Sequence, residues 1–277
     1  VEPVSGGIDS SLGLAICADA VGAENVVAYN MPSSVNSETT KQNAEELADN
    51  LGVEYRVLPV EEPYREIIDT YEEHVDEVER TVSRENVYAR LRGLFAMLET
   101  NEEGSMLVSN GNQTEMALGY ATLYGDMTGG LSLLGDVSKT EVYDLAQYVN
   151  ERHGEEVIPE EVFEQPPSAE LSEGQEDPFD YEVVAPVVES FLEQRMDSSS
   201  LVEAFDRGEL GDGFPDDIDD CYDVDAFEEL VEDTYKRFRT AAFKRAQAPP
   251  VIAVTGRSFG TDFREPIIDG WQPGGDA

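Results

Sequence analysis

The chain has 277 residues, 40% of them hydrophobic and 9% aromatic, which is enough to bury a core and excludes wholesale disorder. Acidic residues outnumber basic ones 60 to 18, for a formal charge of −42, and Lys41, Lys139, Lys236 and Lys244 are its only lysines. That balance excludes general nucleic-acid binding, which needs basic patches to displace counterions, and no run of about 18 apolar residues offers a membrane span.

Acid is spread along the whole chain, as in a folded protein built for high salt, where screening removes self-repulsion. A halophilic source is expected. The two cysteines, Cys17 and Cys221, form no metal-ligand pattern. Cys17 reads as a small core residue on a helix. A cytoplasmic location fits.

In chain order, a Gly/Ser-rich segment at Ser5 to Ser11 precedes an apolar helix from Leu12 to Ala20. Val26 to Tyr29 is a strand candidate. Thr39 to Leu51 reads as a helix with Ala44, Leu47, Ala48 and Leu51 on one face, closed by Gly52 in the left-handed position. Tyr55 to Leu58 is the next strand. Pro63 to Tyr71 is helical, with Pro63 tolerated in its first turn. A helix at Asn86 to Glu99 leads to a strand at Met106 to Val108, and another helix covers Thr140 to Val149. This alternation predicts an α/β fold, a parallel sheet with helices on both faces.

The second half differs. Glu155 to Tyr181 and Gly208 to Asp225 are expected to be loops, being dense in Pro, Gly, Ser and acid. Between them Tyr181 to Arg195 reads as a helix. Asp225 is expected to cap a long helix reaching about Arg245, and Val251 to Val254 is a final strand candidate. His74 and His153 sit among acidic side chains, as solvated residues do, and Trp271 lies in a Gly-rich tail. Neither a repeat nor a domain linker is evident. A single domain over 1–277 is expected, with upstream residues missing because the Ser5 motif lies so close to Val1.

Three segments carry chemistry. Ser5-Gly6-Gly7-Ile8-Asp9-Ser10-Ser11 has small residues that let the backbone wrap an anion at a helix N-terminus. Asp9 repels phosphate unless a divalent cation lies between them. A Gly turn with Asp and Ser capping a helix is the plainer reading. Asn110-Gly111-Asn112-Gln113-Thr114-Glu115, followed by Gly119-Tyr120 and Tyr124-Gly125-Asp126, brings a second carboxylate, with helix capping again the plainer role. Gly135-Asp136-Val137-Ser138-Lys139-Thr140-Glu141 places a rare lysine at a helix start.

The first segment is not the common P-loop, lacking Gly-Lys-Ser/Thr. It resembles the PP-loop, Ser-Gly-Gly-x-Asp-Ser, of ATP-pyrophosphatases. With the second and third segments, with Asn86-Val87-Tyr88-Ala89-Arg90-Leu91-Arg92, with Pro166-Pro167-Ser168-Ala169-Glu170-Leu171 and with Lys244-Arg245 before Pro249-Pro250, the ordered set is similar to that of the NAD synthetase family, from Ser5 to Pro250. The resemblance implies a Rossmann-like, adenine nucleotide alpha-hydrolase-like fold. It implies ATP held by Ser5, Gly6, Gly7, Ile8, Asp9, Ser10, Asn110, Lys139 and Ser168. It implies Mg²⁺ on Asp9 and Glu115, with Lys139 as a catalytic cation. Arg90 and Lys244 would meet the acceptor, nicotinic acid adenine dinucleotide. The acceptor carboxylate would be adenylylated and then amidated by ammonia. Free ammonia is the natural reading, since 277 residues leave no room for a glutaminase domain. A homodimer is implied.

The chain departs from the family at Leu123 and Tyr88, where lysines are common, at Phe243, where histidine is usual, and at Asn110, where threonine is. Those changes keep two alternatives open: a PP-loop enzyme with a changed acceptor, and a nucleotide-binding regulatory protein without synthetase activity.

Overall fold

The computed structural model describes residues 1–168, 171–172, 174–175, 177–211 and 213–260. Ala169, Glu170 and Trp271 lie outside the described residues.

Five short strands form the sheet: β1 (Glu2–Pro3), β2 (Val27–Asn30), β3 (Glu54–Val57), β4 (Val108–Ser109) and β5 (Leu131–Ser132). β2 lies between β1 and β3, β4 pairs with β5, and every pair is parallel. Val108 N donates to Val1 O and Val1 N to Met106 O, which sets β1 beside β4. The spatial order is therefore β3-β2-β1-β4-β5.

The first helices are α1 (Ile8–Val21), α2 (Glu38–Leu51), α3 (Glu61–His74), α4 (Thr81–Glu103), α5 (Gln113–Leu118) and α6 (Lys139–His153). There follow α7 (Glu160–Glu164), α8 (Tyr181–Leu192), α9 (Ser198–Asp206), α10 (Ile218–Cys221), α11 (Val224–Thr240) and α12 (Ala242–Arg245). Alternate strand residues face opposite sides of a sheet. On β2, Ala28 joins a cluster with Leu12, Leu14, Leu47 and Val142 from α1, α2 and α6. Its neighbour Tyr29 joins a second cluster with Tyr88, Leu91 and Ala96 of α4. Helices thus cover both faces, as the alternating pattern predicts. A third cluster, built on Phe227, Val187, Val188 and Phe205, packs α5, α8, α9 and α11 together. Among the described residues no helix is long and apolar enough to cross a membrane.

Most boundaries fall within a few residues of expectation, and Gly52 closes α2 at φ 68°. The exceptions have local causes. The β4 ladder occupies Val108–Ser109 rather than Met106 to Val108, because Leu131 and Ser132 supply its partners only there. Helix α4 runs several residues past both expected ends, through polar flanks that carry no apolar signal, until Gly104 turns left-handed at φ 63°. The cap of α11 is Asp223, not Asp225, since Asp223 accepts from Ala226 N and Asp225 already sits in the first turn. The helix also breaks at Ala241 before α12. The strand expected at Val251 to Val254 shrinks to one bridge, Val251 to Ser132. Beyond Ile252 N, which donates to Ser132 O, Val254 N and Thr255 N donate instead to the buried Asp136 carboxylate, at 2.6 and 2.8 Å, so the ladder goes no further. The two expected loops each contain a short helix, α7 and α10.

Candidate active site

Chain leaving β1 builds the sheet toward β3, and chain leaving β4 builds it toward β5. The crevice at the carboxyl ends of β1 and β4 is the switch point where open α/β sheets bind ligands. The Ser5 loop follows β1 and the Asn110 loop follows β4, so the fold brings both motifs to one place.

The Ser5 loop is closed by its own small side chains. Ser5 N donates to Ser10 Oγ at 3.2 Å, and Ser10 Oγ donates to Gly7 O at 3.0 Å. Gly6 has φ +90°, and a Cβ there would lie 1.9 Å from Thr40 O, so any side chain collides with α2. Gly7 is the N-cap of α1 and offers no side chain to the helix N-terminus. Backbone N–H groups there stay available to an anion.

Asp9, in the first turn of α1, faces the start of α5. Its Oδ1 accepts from Asn112 Nδ2 at 2.8 Å and its Oδ2 from Lys139 Nζ at 2.5 Å. The same Nζ lies 3.5 Å from Glu115 Oε1. Asn112 caps α5 reciprocally: its Oδ1 accepts from Glu115 N, and its own N donates to Glu115 Oε2. Ser138 caps α6 in the same way with Glu141, and Lys139 N donates to Thr114 Oγ1 at 3.1 Å. Local capping and shared site geometry are therefore the same bonds.

Lys139 is only 3% exposed at its side chain, and the two carboxylates about 20%. Burial disfavours the ammonium, but the Asp9 and Glu115 charges outweigh it and hold the lysine pKa above its usual value. Burial, then repulsion from Asp9, pushes the Glu115 carboxyl above the usual carboxylate range, against the pull of Lys139. Two carboxylates converging on one ammonium are a donor set suited to a hard cation. No group of three or more His, Cys, Asp or Glu residues able to hold a metal occurs among the described residues.

These groups stand along a cavity of ≈ 290 Å³. Ser5, Gly7, Ile8, Asp9, Ser10, Asn110, Lys139, Glu115 and Ser168 line it, so most of the expected nucleotide-binding residues are brought together. Gly6 supports the loop from behind. Ala89, Gly93 and Ala96 of α4 form an apolar wall.

The structure does not bring Arg90 and Lys244 to the cavity lining. Arg90 is exposed, with Nε donating to Leu123 O at 3.1 Å. Lys244 Nζ donates to Gly119 O and Ala121 O at 2.6 and 2.7 Å, carbonyls of the cap of α5 and of the turn that follows it. Tyr88 is turned away as well: it stacks on Tyr64 at 3.8 Å and donates to Glu61 at 3.0 Å. The departure from lysine at Tyr88 is thus accommodated by α3 and does not alter the cavity wall.

Sequence reasoning gave no separate role to two lining groups, Arg92 and Asp177, or to Asn112, which holds Asp9 from outside the lining. Arg92 bonds Met31 O and Asn36 Oδ1 at the far end of the cavity. Asp177 lines the cavity from within the segment read as loop, and accepts from Tyr181 OH at 2.8 Å. Asn112 was visible only as part of a motif, although Asn-x-x-Glu is itself a capping signal.

The profile of the family described as NAD synthase matches residues 1–210. A glutamine-dependent NAD(+) synthetase of Thermotoga maritima is 35% identical over 270 residues, which are 96% of this chain and 43% of that protein. One from Aquifex aeolicus is 36% identical over 269 residues, 96% of this chain and 44% of that protein. The solved structure of the glutamine-dependent NAD+ synthetase from Acinetobacter baumannii in complex with ADP aligns at TM-score 0.57 and 31% identity, covering 98% of this chain and 45% of that one. A glutamine-dependent NAD(+) synthetase structure from Cytophaga hutchinsonii reaches TM-score 0.78 at 17% identity, over 96% and 49% of the two chains, and bears on the fold alone. The chain spans less than half the length of these relatives. A match that begins at Val1 and runs through the Ser5 loop, Asp9, Glu115 and Lys139 to residue 210 shows that the chain belongs to the NAD synthase family.

Proposed function

We propose that this chain catalyses the ATP-dependent amidation of nicotinic acid adenine dinucleotide to NAD, through an adenylate, with release of pyrophosphate and AMP. The observation that carries the reading is the convergence of Asp9, Glu115 and Lys139 beside the Ser5 loop. ATP phosphates would lie against the N–H groups at the start of α1, with the Ser5 and Ser10 hydroxyls beside them once their mutual bonds open. Asp9 and Glu115 would hold Mg²⁺, which would supply positive charge to the phosphates. Lys139 adds a fixed positive charge that needs no reorganisation. The acceptor carboxylate attacks the α-phosphorus, and ammonia then displaces AMP from the activated carbonyl. No protein nucleophile is used, and orientation supplies much of the rate.

The nitrogen source has two candidates. Free ammonia and glutamine both fit an amidation; the printed names of the relatives favour glutamine, and those relatives are more than twice as long as this chain. Homodimerisation is part of the proposal. Leu94 and Leu98 on α4 are 62% and 51% exposed, and they continue the same helix face as Arg90. A second copy covering that face would bring Arg90 to an acceptor at the interface.

Purified protein in high-potassium buffer should form AMP and NAD in equal amounts from ATP, Mg²⁺, ammonium and nicotinic acid adenine dinucleotide. Asp9→Asn and Glu115→Gln should abolish both products while remaining folded. Full activity in either variant removes the metal assignment. Glutamine in place of ammonium identifies the donor. The engagement of Arg90 and Lys244 with backbone carbonyls favours a second reading, the same adenylation with a changed acceptor; folded protein that binds ATP yet yields no AMP with this dinucleotide would select it.

A further inference from the structure

Glu115 rides on α5, a helix of six residues. Helices that short have no stability of their own in water, so both ends must be held by the rest of the fold. Asn112 holds the first end by its capping box. The other end is held from the far side of the chain. Arg245 Nη1 donates to Ala117 O at 2.9 Å and to Met116 O at 3.4 Å, the last-turn carbonyls of α5. Its Nη2 donates to Phe238 O at 2.6 Å, near the end of α11. The guanidinium lies against two rings that contact each other, 4.9 Å from the centroid of Phe238 and 4.8 Å from that of Phe259. A positive charge at a helix C-terminus also opposes the negative end of its dipole.

We infer that Arg245 is a positioning residue for Glu115: by tying the last carbonyls of α5 to the end of α11, it fixes where the first turn of α5 presents Glu115 to Asp9. This rests on the cation-site reading proposed above. The geometry asks for arginine. A flat fork bonds carbonyls of two helices at once and rests against ring faces, while an ammonium is a single compact charge that does neither as well. A rotation of a one-turn-and-a-half helix moves Glu115 directly, because no longer element averages the error.

The test uses Mn²⁺ as probe together with α,β-methylene-ATP, reading free Mn²⁺ by electron paramagnetic resonance well below the unfolding temperature. Arg245→Met should weaken Mn²⁺ retention by about tenfold or more, the usual scale for a group that orients a metal ligand. Arg245→Lys should fall between it and the unaltered protein. Phe205→Leu loosens the same apolar cluster at a ring stacked on Phe227, without removing a donor to α5 or a ring beside Arg245, and should keep its Mn²⁺ affinity. Unchanged retention in folded Arg245→Met overturns the inference, as does an equal loss in Phe205→Leu. If Glu115→Gln itself retains Mn²⁺ normally, the cation-site reading fails first and this inference falls with it.

Discussion

Asn112 donates its side-chain amide to Asp9 at 2.8 Å, across 103 positions of chain, while its amide oxygen caps the helix that carries Glu115. One side chain therefore sets the distance between the two carboxylates. Removing it does two separable things. Loss of the cap costs about 1 kcal/mol of stability. Loss of the bond to Asp9 frees one proposed cation ligand, for which a loss of about 10–100-fold is usual. Asn112→Ala should show both, as a small fall in unfolding temperature and a large rise in the Mg²⁺ needed for AMP formation. Asn112→Ser retains a cap but not the reach to Asp9, and should recover stability without recovering Mg²⁺ affinity. Recovery of both together would mean that the cap alone matters.

Lys139 bears on the same pair. Its ammonium is the cation that the two carboxylates share in this structure. Breaking a buried pair costs on the order of 3 kcal/mol, because the partners keep their desolvation and lose their compensation. The carboxylates here are partly exposed, so the loss should sit below that figure. Lys139→Met should be destabilised without divalent cation and regain much of the loss when Mg²⁺ is added, since Mg²⁺ then takes over the compensating charge. It should stay inactive throughout. Thermal unfolding with and without Mg²⁺ checks this, and a variant indifferent to Mg²⁺ would show that the carboxylates are compensated by something else.

These relationships also mark what the sequence could and could not disclose. Asp9, Glu115 and Lys139 were singled out because the segments around them resemble the family's ordered motifs, helix capping being the plainer local reading of Asp9 and Glu115. Their mutual distances could not be read, since the bonds that bring Asp9 to Asn112 and Lys139 span 103 and 130 positions. Helices with a clear apolar stripe, such as α2, were placed within a residue. The ends of α4 were lost because its flanks are polar on every face. Lys244 shows the opposite failure: its charge beside a proposed substrate site pointed outward to a ligand, yet carbonyls at the end of α5 take it first.

Glu2 gives the chain a pH dependence of its own. It is 1% exposed on the central strand, and burial pushes its carboxyl up to about 8. The Asn110 amide, the Cys17 thiol and the Val1 amine face it, and both the amide and the amine pull the other way. Below the ordinary value of 4.5, folded and unfolded chains both hold the proton. Between 4.5 and about 8 only the folded chain does, so stability falls by about 1.4 kcal/mol for each pH unit. Above that range both states are ionised and the loss levels off. Glu2→Gln has no such proton. Its stability relative to the unaltered protein should rise steadily from pH 5 to pH 8 in denaturant titrations at fixed KCl. A difference that stays constant with pH would place Glu2 in solvent-like surroundings.

The charge of −42 makes the last prediction. Exposed pairs such as Lys41 with Glu38 and Arg237 with Asp233 contribute little each. They cannot offset 60 acidic residues with 18 basic ones. At 0.1 M salt, charges interact over about 10 Å, the spacing of neighbouring surface carboxylates, and at 1 M over about 3 Å. Repulsion should therefore be felt at low salt and be largely gone near 1 M. The unfolding midpoint should climb with KCl and flatten above that point, each kcal/mol of relieved repulsion raising it by roughly 2–4 °C. KCl is the right salt, because sulfate strengthens apolar burial whatever the charge. Phe227 and Leu12 are fully buried and feel KCl little, so a midpoint independent of KCl would mean that the core alone sets stability and that the acidic surface is no adaptation to salt.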